Sequence, residues 1–150
     1  MQAESAIEFM VPGTPVGKGR PRMAAGRMYT PPKTASYESL VAYAAAVVMK
    51  GRPLFEGACS CSLDIVLPIP ASWSRKKQAQ ALAGSLYPTT KPDKDNVIKA
   101  VYDAMNGVVW RDDVQACDGQ QTKRYGAVPG VWVRVEIGRA SCRERVCLYV

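Results

Sequence analysis

Three separated stretches of this chain place an apolar residue at every second position, and a period of two commits them to sheet rather than helix. Ile7, Phe9 and Val11 make the first, ended by Pro12-Gly13. Cys59, Cys61, Leu63, Ile65 and Leu67 make the second, alternating with Ser60, Ser62 and Asp64 and ending at Pro68. Val131, Val133, Val135 and Ile137 make the last. Each buries one face and leaves the other wet. A further strand is expected over 114–125, with 125–130 as the turn into the last one.

Helical signals fill the gaps. Ser36 is placed to cap a helix over 37–49, closed by Gly51 and Pro53, with Leu40, Ala44, Val47 and Val48 as the face to bury. Ser72 or Ser74 caps a short basic helix over 75–83. A third helix runs over 96–106, with Val97, Val101, Ala104 and Met105 at core spacing and Gly107 as its stop. Residues 13–34 read as a Gly-, Pro- and base-rich loop. The predicted architecture is α+β, a small single domain with a mixed four-stranded sheet and two to three helices. At 150 residues and 47% hydrophobic, the chain supplies one core and not two.

The chain contains no histidine. That removes the usual general base, the Ser/His and Cys/His nucleophile systems and His-ligated zinc. Its five cysteines form no CxxC pair, which fits buried thiols in a reducing cytosol better than a disulfide framework. No apolar run approaches membrane-spanning length, and the acidic start Met1-Gln2-Ala3-Glu4 lacks the pattern of a signal peptide. A formal charge of +7 favours a polyanionic partner, of which nucleic acid is the commonest.

Against that background stands Lys91-Pro92-Asp93-Lys94-Asp95-Asn96-Val97-Ile98-Lys99, with Asp112-Asp113 one helix later. In extended backbone, Asp93 and Asp95 project to the same side and can reach one cation. Asp113 is expected at the start of the next strand, where it can complete the set. Carboxylates without nitrogen or sulfur donors suit Mg2+, with Mn2+ as a substitute. Lys99, one helical turn past Asp95, can hold a phosphate or offset transition-state charge.

Each residue also has a plainer reading, and both stay open here. Asp95 can cap the helix, Asp95 and Lys99 can form a surface ion pair, and Asp112-Asp113 can open a turn. Asp103 shares the Asp95–Lys99 face and reads as a surface residue. Lys18, Arg20, Arg22 and Arg27 lie in the first loop, where Lys18-Gly19-Arg20-Pro21-Arg22 resembles a phosphate clamp. Lys91, Lys94, Lys123 and Arg124 are the other candidate DNA contacts.

The 91–99 stretch, Tyr102-Asp103-Ala104-Met105 and Gly107-Val108-Val109-Trp110-Arg111-Asp112-Asp113-Val114-Gln115 together resemble the RusA family of Holliday-junction resolvases. Lys18–Arg22, Tyr29-Thr30-Pro31, Tyr37-Glu38 and Lys123-Arg124-Tyr125-Gly126 resemble its phage branch. The resemblance covers roughly 6–137. It implies that Asp93, Asp95 and Asp113 are metal-binding carboxylates and that Lys99 is an essential lysine. It further implies a homodimer on four-way DNA junctions, with Mg2+-dependent symmetric nicks leaving 5′-phosphate and 3′-hydroxyl ends. The expected setting is the cytosol of a bacterial host, from a phage or prophage. Lys94 stands where the family often has an apolar residue.

Two rival functions remain at this point, a carboxylate-dependent nuclease without junction preference and a non-catalytic DNA-binding protein. The expected domain ends at 137. Residues 137–146 admit the reverse translation ATC GGA AGA GCG TCG TGT AGG GAA AGA GTG, which resembles a sequencing-library adapter read in reverse. Residues 138–150 are therefore read as a non-native, adapter-derived or disordered tail, a hypothesis that recovery of this DNA in native genomic context would sink.

Overall fold

The computed structural model describes residues 6–138. The proposed tail lies outside the described residues apart from Gly138, whose N–H donates to the Ala58 carbonyl at 2.9 Å. Strand β1 (Ala6–Pro12) is followed by a small hairpin, β2 (Arg22–Ala24) and β3 (Arg27–Tyr29), and then by helix α1 (Pro32–Met49). Strand β4 (Cys59–Pro68), helices α2 (Arg75–Leu82) and α3 (Lys94–Met105), a 3-10 turn (Asp113–Gln115) and strands β5 (Ala116–Asp118), β6 (Gln121–Gly126) and β7 (Gly130–Ile137) complete the domain. Among the described residues no helix is long and apolar enough to cross a membrane.

The main sheet is mixed, as expected. β7 lies antiparallel between β1 and β4, while β5 and β6 both run parallel to β4 on its other side. Five strands thus occupy four positions, and the expected strand over 114–125 is broken. A Cβ at Gly119 (φ +131°) would lie 2.0 Å from the Cys61 carbonyl oxygen, so between β5 and β6 the chain lies against the β4 backbone with no room for a side chain.

Alternation sorts the sheet's two faces. Ile7, Phe9 and Val11, then Cys59, Cys61, Leu63 and Ile65, and then Val131, Val133 and Val135 are buried beneath α1 and α3. α2 packs on β6 at the far end of the same face, where Leu67, Ala81 and Tyr125 form a second cluster with Trp73 set edge-on to Tyr125. Trp110 is fully buried, and its indole N–H donates to Asn106 Oδ1 at 2.9 Å. The opposite sheet face carries Arg134 between Glu8 and Glu136, and Asp64 paired with Arg124.

Helix α1 corrects two expectations. It begins at Pro32 instead of 37, because proline lacks only an N–H that the first turn leaves unused. Its buried stripe is Thr34, Tyr37, Val41, Ala45 and Met49, while Leu40 and Val47 face solvent. The helix is apolar nearly all round, so packing against β1 and α3 chooses the face and amphipathicity does not. The hairpin β2–β3 stands within the stretch read as loop, and every one of its residues is exposed.

Candidate active site

α3 explains how the acidic motif is held. Asp93 occupies its N-cap position with extended backbone (φ −66°, ψ 142°), and Asp95 already belongs to its first turn. The two carboxylates therefore straddle a helix start and do not share one side of an extended segment. The positive end of the helix dipole favours anions in that turn. The Asp93 side chain makes no capping hydrogen bond. Among the described residues Asp93, Asp95 and Lys99 are all exposed and none makes an ion pair, so the i,i+4 surface bridge is not formed.

The approach to α3 is fixed from two sides. Lys123 Nζ donates to the Thr90 carbonyl at 2.7 Å, tying β6 to the loop before Asp93. Lys18 N–H donates to the Asn96 carbonyl at 2.9 Å. A Cβ at Gly17 would stand 3.1 Å from Asn96 Cβ and 3.3 Å from Pro92 Cβ, so glycine lets this loop lie directly against the helix start. Buried Thr34 accepts from Gly19 N–H at 3.0 Å and secures the same loop to α1.

Lys18 has a defined place within this assembly. Its ammonium lies 2.6 Å from Glu38 on α1 and 3.0 Å from Asp103 on α3. Burial opposes its charge, but the two carboxylates outweigh burial and raise its pKa. Arg124 is likewise engaged, holding Asp64 through its Nε and Nη2 at 2.8–3.2 Å. Burial acts against the Asp64 charge, and the Arg124 and Thr122 hydrogen bonds override it and hold that carboxyl below its ordinary value. Arg20, Arg22, Arg27, Lys91 and Lys94 are exposed and unpaired among the described residues.

Asp113 returns to α3 through a tight turn. Val108 and Val109 N–H groups donate to the Met105 carbonyl, and Gly107 N–H donates to the Trp110 carbonyl at 2.7 Å. The expected strand start is a 3-10 turn instead, capped by Asp112 and Gln115. It packs against α3 and brings Asp113 within hydrogen-bonding range of Asp112 and Asp103. Burial first, and then those two carboxylates, push the Asp113 pKa up.

Asp103 is exposed, as its reading as a surface residue expects, and it also pairs with Lys18 and lies beside Asp113. The available signal was its position eight residues after Asp95, on the face that also carries Lys99. Glu38 and Gln115 gave no comparable signal, because their partners are 20 and 58–60 residues away.

Asp93, Asp95 and Asp113 offer carboxylate oxygens, which suit a hard divalent cation, and the carboxylates that crowd Asp113 itself are Asp112 and Asp103. Among the described residues no three acidic or cysteine side chains form a ready cage. Mg2+ does not require one, since it is commonly held by one or two carboxylates with water and substrate phosphate.

Comparison with known proteins bears on the chain as a whole. The family model described as "Endodeoxyribonuclease RusA" matches residues 12–136. The chain is also similar to "Uncharacterized protein YqaN" of Bacillus subtilis (strain 168), with 37% identity over 137 residues, covering 86% of this chain and 94% of that protein.

Proposed function

The chain belongs to the RusA family of endodeoxyribonucleases and is a DNA endonuclease; from that premise we propose that it resolves four-way (Holliday) junctions as a homodimer, by symmetric paired nicks that leave 5′-phosphate and 3′-hydroxyl ends. The observation that carries this reading is the assembly around α3. The 91–99 motif opens the helix, and the 106–112 turn returns Asp113 to its side. The reading places the enzyme in DNA recombination and repair, in the cytosol of a bacterial host and encoded by a phage or prophage.

In this reading Asp93, Asp95 and Asp113 hold Mg2+, or Mn2+ in its place. The bound ion would polarise the phosphoryl oxygen and lower the pKa of the attacking water. Lys99, one turn after Asp95 on the same helix, would donate to a non-bridging oxygen of the scissile phosphate. Asp103 and Glu38 hold Lys18 between α1 and α3, so Lys18 keeps a positive charge beside the carboxylates. Arg20, Arg22, Arg27, Lys91 and Lys94 are free to meet backbone phosphates, which orient DNA without reading its sequence.

The test is cleavage of a synthetic four-way junction against linear duplex of the same sequence, in Mg2+ or EDTA, with wild type and Asp95→Asn. Paired nicks that require Mg2+ and vanish in the variant are expected. Equal cutting of linear duplex would replace the reading with a nuclease lacking junction preference. Junction binding without nicks under any divalent ion would replace it with a binding protein.

A further inference from the structure

Gln115 uses its whole side-chain amide to join two segments far apart in sequence. Its Oε1 accepts from Arg111 N–H at 3.0 Å and from Asp112 N–H at 3.2 Å. Its Nε2 donates to the Phe55 carbonyl at 2.9 Å and to the Gly57 carbonyl at 3.0 Å. A primary amide offers two donors and two acceptor lone pairs, so all four are engaged. The first pair fixes the peptide units on either side of the turn into Asp112-Asp113. The second pair anchors that turn to the lead-in of β4. The anchor is itself firm, since Phe55 N–H donates to the Val109 carbonyl at 2.7 Å and Phe55 is buried beside Trp110.

We infer that Gln115 is a positioning residue for the nuclease reaction: it sets where the Asp113 carboxylate stands relative to α3, and thereby divalent-ion affinity and nicking rate. The inference rests on the function proposed above. Asp113 lies two residues from Gln115 in a single 3-10 turn, among carboxylates that repel it. Without the amide, the turn keeps the Asp112 cap (Val114 N–H to Asp112 Oδ1, 3.3 Å) and its own backbone bonds, Gln115 N–H to the Asp112 carbonyl and Ala116 N–H to the Asp113 carbonyl, but loses its side-chain tie to the Phe55 and Gly57 carbonyls. Residues that orient a ligating group characteristically alter metal affinity or activity by ~10–100-fold when removed.

The test uses full-length Gln115→Met, which keeps the length but none of the hydrogen bonds, and Gln115→Glu, which keeps the acceptor half. Ile65→Val serves as a core variant that lowers stability without touching the turn. Single-turnover nicking of a four-way junction, the Mg2+ midpoint of that rate, and Mn2+ affinity by calorimetry are measured, with junction binding in EDTA alongside. Gln115→Met is expected to nick ~10–100-fold more slowly and to bind Mn2+ more weakly. Its junction binding in EDTA should stay at the wild-type level. Gln115→Glu should fall between the two, and Ile65→Val should match wild type throughout.

A Gln115→Met protein with wild-type rate and Mn2+ affinity overturns the inference and leaves the proposed function standing. The same holds if Ile65→Val loses as much. A wild type that binds Mn2+ but nicks no junction overturns the proposed function, and the Mn2+ affinities of the variants then decide the role of Gln115. A wild type that does neither removes both. If Gln115→Met fails to fold, Gln115→Glu decides by the same measurements.

Discussion

Asp113 stands within hydrogen-bonding range of Asp112 and Asp103, and burial together with those two carboxylates holds its pKa up. A carboxyl raised in the folded state is protonated in folded and unfolded chains alike at low pH. As pH rises, the unfolded chain releases its proton first, so stability falls through the carboxylate range and stays lower above it. Asp113→Asn should therefore stabilise the protein at pH 7 in EDTA, by no more than about 1 kcal/mol, and give no gain at about pH 3. Nicking should fall by ~10²-fold or more in the same variant, because a fixed charge at the reacting phosphate is lost. Thermal unfolding at the two pH values, beside the junction assay, checks both halves. Equal destabilisation at both pH values would show that Asp113 contributes packing and not repulsion. Lys18 has the opposite sign. Its raised pKa gives stability that is complete below about pH 10 and is lost only as pH rises through the folded value, so neutral-pH assays see it fully charged.

The α1–α3 pair is where that charge acts. Lys18 joins the two helices through Glu38 and Asp103, and its own loop is pinned by Thr34 and by the Asn96 carbonyl. Lys18→Met should cost about 1 kcal/mol, the scale of a charged hydrogen bond discounted for partial exposure, and should slow nicking more than it weakens junction binding. Denaturant unfolding and a comparison of nicking rate with affinity check it; a loss confined to affinity would mark Lys18 as a simple phosphate contact. α2 presents a different case. Arg75, Lys76 and Lys77 fill its first turn, with no acidic residue there, where the helix dipole disfavours cations. Lys77 lies 4.1 Å over the Trp73 ring, while Arg75 and Lys76 are unpaired among the described residues. If these cations face DNA, Arg75→Gln with Lys76→Gln should reduce the salt slope of junction binding by about 2 and leave stability level or improved. An unchanged slope would count against it. Sequence periodicity was enough to place β1, β4, α3 and β7, because each has one strongly apolar face. It misplaced the buried stripe of α1, where Leu40 and Val47 are as apolar as Val41 and only the neighbours decide. It could not show that Asp103 meets Lys18 or that Gln115 reaches Phe55, because such contacts join residues whose separation along the chain carries no periodic signal. Asp93, Asp95 and Asp113 were legible as a motif, yet the extended backbone inferred for 93–95 gave way to a helix start, since local spacing is the same in either.

Among the described residues the two sides of the sheet differ in how their charges are matched. On the open sheet face cations are matched, Arg134 with Glu8 and Glu136, and Arg124 with Asp64. Of the unpaired cations, Arg75, Lys76, Lys91 and Lys94 belong to α2, α3 and the loop between them, on the helical side of the sheet, and the stretch from 65 to 92 contains no acid. A duplex attracted to that side meets Asp93 and Asp95 at the end of the same loop. One domain of this size carries one such assembly, whereas a four-way junction presents two equivalent strands to be cut. Two-fold symmetric pairing of the chain, as proposed, would match the two-fold symmetry of the substrate. Apolar surface for such pairing exists: Leu40, Tyr43 and Val47 are exposed along α1, and Trp132 is 39% exposed on the open sheet. If the active unit is a dimer with one site per protomer, mixing wild type with Asp95→Asn under conditions that allow exchange should change the product and not merely the rate. On a supercoiled plasmid bearing an extruded cruciform, wild type should give mainly linear DNA, from two nicks made within one encounter. A one-to-one mixture contains about half heterodimers by random pairing, and each of these can cut only one strand, so nicked circles should accumulate early at the expense of linear product. A protein that acts as independent monomers would instead show a slower rate with an unchanged ratio of linear to nicked DNA, which makes that ratio, read in the first turnovers, the quantity that decides between the two.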